Sequence, residues 1–253
     1  MRENTIRKLW TAGETVWNGW LSIPSAISAE IMAAEDFDSV TVDLQHGMTD
    51  VGDAIAMLQA ISTRAPMPMA RVNWNEPGQI MKILDAGAYG IICPMISTRE
   101  ECERFVQACR YPPKGYRSFG PLRGLLYGGA DYYQHANDTI VTLAMIETRE
   151  AMQNLDAIMS VPGLDGIYVG PADLSIGLGY APSVDPTDKE VLDAIDDIVI
   201  AAYKNHIRAG IHCSSGRGAK AWSDKGFRFC SLAADRTFLS IGAKAVIKEA
   251  RGR

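Results

Sequence analysis

The sequence predicts an α/β protein with the (β/α)8 TIM-barrel fold, one domain over residues 1–253. Three observations carry that expectation. Apolar runs of four to eight residues alternate with longer amphipathic stretches until eight strand–helix units have passed. No shift of composition, internal repeat or low-complexity segment divides the chain, whose length suits a barrel. No Gly-x-Gly-x-x-Gly or Gly-x-x-x-x-Gly-Lys opens a helix, which argues against an open doubly wound sheet.

The elements follow in order. Strand-like runs fall near 15–23 (TVWNGWLSI), 39–45 (SVTVDLQ), 67–72 (MPMARV) and 89–96 (YGIICPMI). Four more fall near 139–147 (TIVTLAMIE), 164–170 (LDGIYVG), 208–213 (RAGIHC) and 227–233 (FRFCSLA). They are continuous in apolar character, as strands buried on both faces of a parallel sheet require. Helix-like stretches lie between them near 26–35, 50–63, 77–86, 98–109, 149–159, 187–206 and 216–225, and a last one spans 236–250. One connection is long. Residues 110–138, before the fifth strand, are rich in Gly, Tyr and Arg, and such a loop is usually functional or mobile. Its Arg117 and Arg123 are candidates for binding an acidic or hydroxylated substrate, although its tyrosines could equally pack on the barrel.

Composition narrows the partners. A net charge of −5 and a pI near 5.4 leave no basic face for nucleic acid. No apolar run approaches a membrane span, and no signal core follows the charged N-terminus. Five cysteines without a Cys-x-x-Cys pair suit a reduced, cytoplasmic protein.

In such a barrel, polar residues at strand exits face the active site. Strand 2 runs out through Asp43 to His46, and strand 3 ends near Arg71. The helix before strand 4 carries Asp85, strand 5 ends on Glu147, and strand 6 leads to Asp173. Each has an ordinary alternative: a rim ion pair for Arg71, a pairing with Lys82 for Asp85, a helix first turn for Glu147, an N-cap for Asp173. That so many coincide at one end points to an enzyme.

The residue types suggest the chemistry. Glu147 and Asp173 end adjacent strands, and two oxygen donors without Cys or His suit a hard divalent ion, Mg²⁺ or Mn²⁺. Such an ion stabilises negative charge on the keto oxygen of a 2-oxo acid when a C3 proton or the C3–C4 bond is lost. Arg71 would add fixed positive charge and His46 would be the general base. A lysine Schiff base is the competing route, but every lysine falls on a predicted helix or loop. His212, at the predicted end of strand 7, could line the pocket.

The stretches "VDLQHG", "ARVNWNEPGQIMKILDAGAYGIICPMIST", "RYPPKGYRS", "MIETREAMQNLDAIMSVPGLDGIYVGPADLS" and "GFRFCSLAAD" resemble the HpcH/HpaI family of metal-dependent (class II) pyruvate aldolases, from about Trp20 to Asp235. The resemblance implies a barrel that reversibly adds a pyruvate or hydroxypyruvate enolate to an aldehyde, giving 4-hydroxy-2-oxo acids. It implies a divalent ion (Mg²⁺ or Mn²⁺, with Co²⁺, Ni²⁺ or Zn²⁺ as alternatives) on Glu147 and Asp173, and no organic cofactor. It implies that Arg71 holds the oxo acid, that His46 is the base with Asp85 as its carboxylate partner, and that Asp43 lies near the incoming aldehyde. It places the backbone of Gly170 and Ala172 at the oxo acid's carboxylate and Trp20 among the substrate-binding residues. A homohexamer is implied, with its last helix exchanged between subunits. Gln45 stands where the family often has Glu, and Met145 where it often has Gln, so hydroxypyruvate ranks beside pyruvate as a donor. Oxaloacetate decarboxylation, or a barrel that binds a sugar acid without catalysis, are the rival readings.

Overall fold

A computed structural model describes residues 1–252. Eight strands form a closed parallel barrel in chain order: β1 (Val16–Leu21), β2 (Ser39–Asp43), β3 (Met67–Arg71), β4 (Gly90–Cys93), β5 (Val141–Ile146), β6 (Gly166–Val169), β7 (Arg208–Cys213) and β8 (Phe229–Ala234). The (β/α)8 expectation is met, and each strand overlaps its expected run.

Alternate residues along each strand face opposite ways, and the two sets make two cores. Leu21, Val40, Val42, Ala70, Ile91, Ala144, Ile146, Ile167, Val169, Ile211 and Cys230 share a buried cluster with helix residues such as Met57, Leu58, Ile83 and Phe105. The other parity fills the barrel: Val16, Trp20, Met67, Met69, Ile92, Val141, Leu143, Met145, Tyr168 and Phe229 form a second cluster. Large interior side chains need small neighbours, and a Cβ on Gly210 would lie 3.0 Å from the Tyr168 ring. The same parity carries polar residues at the strand ends, so the barrel itself aims Asp43, Arg71, Glu147 and His212 into one space.

Helices with local start signals return the chain between strands. They are α2 (Ala26–Ala34), α3 (Val51–Ile61), α4 (Pro77–Asp85), α5 (Arg99–Cys109), α11 (Lys189–Lys204) and α12 (Gly216–Asp224). Asp50 with Asp53, and Thr98 with Glu101, form capping boxes on α3 and α5, while Pro77 occupies the first position of α4. The stretch expected as one helix near 149–159 is broken into α8 (Arg149–Gln153) and α9 (Leu155–Met159).

Four helices lie outside the expected set. Ahead of β1, α1 (Thr5–Thr11) uses Ile6 and Trp10 to close the strand-start end of the barrel. After β6, α10 (Pro171–Leu178) begins directly at the strand exit. The long connection at 110–138 is not an open loop: it holds α6 (Leu122–Gly128) and α7 (Tyr132–Thr139) around a buried Tyr111–Tyr132–Ala136 cluster. Helix α13 (Asp235–Ala250) follows β8, with Phe238, Leu239, Val246 and Ile247 exposed along one flank.

No helix among the described residues is long and apolar enough to cross a membrane. All five cysteines are buried and unpaired.

Candidate active site

At the strand-exit end, a cavity of about 280 Å³ is lined by Trp20, Asp43, His46, Arg71, Met145, Tyr168, Gly170, Ala172, Asp173, His212 and Arg236, among others. Nine of the residues singled out from the sequence converge there on strand ends or the segments that follow: Trp20, Asp43, His46, Arg71, Met145, Gly170, Ala172, Asp173 and His212.

Asp43 and Arg71 are register partners on β2 and β3. Arg71 Nε donates to Asp43 Oδ1 at 2.8 Å and Nη2 donates to Oδ2 at 2.6 Å. Burial alone would raise the Asp43 pKa, but the paired guanidinium outweighs it and the group is held below the ordinary carboxylate range. Trp20 Nε1 donates to Asp43 Oδ2 at 3.2 Å, and the guanidinium lies 4.8 Å over the Trp20 ring. Asp43 Oδ1 also accepts from the backbone of Gln45 and His46, which shapes the turn that carries His46. The His46 side chain is exposed at the cavity rim.

Glu147 is 2% exposed, and its Oε1 accepts from the backbone N–H of Met95 at 2.7 Å. Met95 has φ of 56°, a left-handed conformation that a non-glycine residue holds only where its surroundings enforce it. Burial pushes the Glu147 carboxyl up to about 7, and the negative charge of nearby Asp173 adds to the rise, against the Met95 hydrogen bond and Arg71. Oε2 receives no hydrogen bond among the described residues. It faces Gly170, where a Cβ would lie 2.6 Å away, so the chain keeps this approach clear of side-chain atoms. Two mutually repelling carboxylates, one buried with an unpaired oxygen, fit a divalent cation. Among the described residues no third His, Cys, Asp or Glu joins them, so water or substrate would complete the shell.

Helix α10 starts at Gly170 with Pro171, which has no N–H, as its first helical residue and no side-chain cap, leaving the N–H groups of Ala172 and Asp173 as its leading donors beside the cavity. Asp173 stands in that first turn.

Three expected residues lie elsewhere. Asp85 is the last residue of α4, where the chain has returned to the strand-start end, and its Oδ1 accepts from Arg117 Nη2 at 2.8 Å. Within one protomer it therefore does not meet His46. Arg117 is buried against Tyr132 and Tyr111, and Arg123 binds the Ala86 carbonyl and Ser62 Oγ. Neither lines the cavity, because the 110–138 segment joins a helix to the next strand and so belongs to the far end of the barrel.

Met95, Tyr168 and Arg236 are functional positions that no sequence motif marks. Met95 acts through its backbone, which no side-chain pattern reveals. Tyr168 sits on β6 with the inward parity of Gly170, and Arg236 is the second residue after β8; those positions are the available signals.

The profile of the HpcH/HpaI aldolase/citrate lyase family matches residues 19–240. The chain is 45% identical over 248 residues to a hydroxypyruvate/pyruvate aldolase of Rhizorhabdus wittichii, covering 98% of this chain and 99% of that one. It is 36% identical over 247 residues to a 4-hydroxy-2-oxo-heptane-1,7-dioate aldolase of Escherichia coli, covering 96% and 94%. A crystal structure of an HpcH/HpaI aldolase/citrate lyase family protein from Burkholderia cenocepacia superposes with a TM-score of 0.92 at 27% identity, covering 99% and 100%. Together with the cavity, these likenesses make the chain a barrel enzyme that makes and breaks carbon–carbon bonds, which removes the reading of a non-catalytic binding barrel. It belongs to the HpcH/HpaI aldolase family.

Proposed function

We propose that the chain catalyses the reversible addition of a pyruvate-type enolate to a small aldehyde, using a divalent cation held by Glu147 and Asp173. The observation that carries this is the pairing of those two carboxylates beside Arg71 and the open start of α10. The aldolase names of the relatives support it.

The bound ion would supply a Lewis acid for the charge that develops on the donor's keto oxygen. The chain's own residues do the rest. The N–H groups at the start of α10 receive the donor's carboxylate, with their dipoles already aligned. Arg71, fixed by Asp43 on one side and Trp20 on the other, holds positive charge next to the keto oxygen without having to reorganise. His46 takes the proton from the donor's C3 at the rim and returns a proton when the reaction runs backwards. Asp43, ionised through its Arg71 pair, faces the side from which the aldehyde enters. Mg²⁺ and Mn²⁺ are the preferred ions, since both donors are hard carboxylate oxygens.

The assembly belongs to the same reading: a cytoplasmic homohexamer in which α13 packs on a neighbouring subunit. The exposed apolar flank of α13 supports this, since a lone chain would leave Leu239, Val246 and Ile247 in water.

The test is exchange of pyruvate methyl protons in deuterated water after chelation and metal return. Exchange should require the metal and should vanish in Glu147→Ala and Asp173→Ala while circular dichroism is unchanged. Full exchange after exhaustive chelation would refute the reading.

A further inference from the structure

His212 lies on β7 with the inward parity of the site, one residue past the Val169–Ile211 register pair and therefore level with Gly170. Its ring stands edge-on to Trp20, with centroids 4.9 Å apart, and borders the cavity. Nδ1 is 3.1 Å from the Tyr168 hydroxyl.

The rest of that hydrogen-bond chain decides the tautomer. Tyr168 donates to Ser231 Oγ at 2.7 Å. Ser231 Oγ also accepts from Asn18 Nδ2 at 2.9 Å, and Asn18 Oδ1 accepts from Ser39 and Thr41 at 2.8 and 2.9 Å. Asn18, Ser39, Thr41 and Ser231 are fully buried in the barrel, so these partners have no water to turn to. A phenol has one proton, and Tyr168 has committed it to Ser231. Its oxygen can then meet His212 only as an acceptor, which places the imidazole proton on Nδ1. Burial, reinforced by the Arg71 charge, pushes the His212 pKa down to about 4, so near neutral pH the ring is uncharged and Nε2 carries a lone pair. Nε2 has no partner among the described residues.

A ring nitrogen that opens on the cavity, fixed as an acceptor at the level of the donor-binding backbone, is suited to an alcohol O–H. We propose that His212 is a specificity-determining residue whose Nε2 accepts a hydrogen bond from the C3 hydroxyl of a 3-hydroxy-2-oxo acid, favouring hydroxypyruvate over pyruvate as donor. This rests on the aldol reading above and adds to it the class of donor. Tyr168 is the positioning residue that holds the tautomer. A methyl group in place of the hydroxymethyl leaves Nε2 desolvated and unpaired, and a site built around a buried hydrogen bond discriminates strongly against a substrate that lacks it.

The experiment compares kcat/KM for hydroxypyruvate and pyruvate with one aldehyde, in wild type, His212→Phe and Tyr168→Phe, each checked for an unaltered melting temperature. The hydroxypyruvate-to-pyruvate ratio should fall about tenfold or more in His212→Phe and by less in Tyr168→Phe, where the proton is free to change nitrogen. A ratio unmoved in a folded, active His212→Phe overturns the proposal. So does a change confined to glycolaldehyde against acetaldehyde as acceptor, which would put the hydroxyl on the other substrate. A second readout needs no turnover. With ¹⁵N-labelled histidine, the resonances lost in His212→Phe should show a protonated Nδ1 and a bare Nε2. Hydroxypyruvate should shift that Nε2 and pyruvate should not; a protonated Nε2 in the free protein would also overturn the proposal. A wild type inactive with both donors refutes the aldol reading, while this spectrum still reports on the hydroxyl.

Discussion

Asp43 and Arg71 face each other across β2 and β3 with both carboxylate oxygens taken, at 2.8 and 2.6 Å, and both side chains nearly buried. The pair is a clamp: it leaves the guanidinium a single orientation and directs its unused edge toward the cavity. Lysine could keep the charge but not the fork. Arg71→Lys should therefore lower kcat by on the order of 10²-fold or more, the usual scale for losing one prealigned charge donor. Asp43→Ala leaves a buried, unpaired arginine and should lose about 3–5 kcal/mol of stability as well, read as a shift in the denaturation midpoint. An Arg71→Lys enzyme with wild-type kcat would mean that the fork plays no part in the reaction.

With the ion on Glu147, as proposed, stability should depend on pH and metal together. Its carboxyl is raised from 4.5 to about 7, so between those values the folded protein binds a proton that the unfolded chain has already lost. That contribution is fully present below about 4.5 and is lost as pH rises through about 7. The metal-free protein should accordingly melt lower at pH 7.5 than at pH 5.5, by about 3–5 °C for this group alone. Mg²⁺ or Mn²⁺ should restore the difference at pH 7.5 and do much less at pH 5.5, where binding must displace the proton. Glu147→Gln should remove both effects; a metal-induced rise in melting temperature that survives in Glu147→Gln would locate the ion elsewhere.

How much of this was legible in the sequence follows from where each signal resides. Strands were readable because burial on both faces makes them continuous apolar runs, and the site was readable where strand parity meets a strand exit, as at Asp43, Arg71 and Glu147. Arg117 and Arg123 misled because local richness in Arg and Tyr looks the same at either end of a barrel; only the order of elements, helix then strand, says that their segment is remote. Asp85 lies at the same end of its own barrel, since a helix that leads into a strand ends at the strand-start face, so within one protomer it is remote from His46. The Asn18–Ser231–Tyr168–His212 chain spans β1, β8, β6 and β7, and contacts between distant strands leave no local pattern. Helix α10 escaped notice because it starts within one residue of β6 with no polar cap before it.

Gly170 permits a separate test of the metal geometry. A methyl group there would fall 2.6 Å from Glu147 Oε2 and 3.0 Å from Met145 Cε, with backbone φ of −98° that alanine adopts freely. Gly170→Ala should thus leave the fold intact and push the Glu147 carboxylate aside. Metal affinity, followed by titration calorimetry, should weaken by about tenfold or more, in the range seen when groups that orient a metal ligand are lost. Unchanged affinity would show that Oε2 does not need the space beside Gly170.

His46 is the group proposed to move the proton, and its exposed position distinguishes it from the buried residues around it. His46→Ala removes no buried contact, so stability should change by less than about 0.5 kcal/mol. Exchange of the pyruvate methyl protons should nevertheless fall by on the order of 10²-fold. A small loss of exchange would make His46 an orienting residue and leave the base to be found elsewhere in the cavity.

The last helix bears on assembly. Leu239 and Val246 are each 68% exposed on one face of α13, with Phe238 and Ile247 beside them, and such an apolar face in water is unfavourable by about 25 cal/mol for each Å² that a partner could cover. If α13 docks on a neighbouring subunit, replacing Leu239 and Val246 by Glu places two charges in that contact and should reduce the particle from a hexamer to a smaller species by light scattering. Secondary structure should be kept, because the barrel makes few contacts with this helix beyond its first turns, where Asp235 binds the backbone N–H of Ser22 at 2.9 Å. A wild-type protein that is monomeric at micromolar concentration, or a double variant of unchanged mass, would leave the apolar flank without a partner and end the exchange reading.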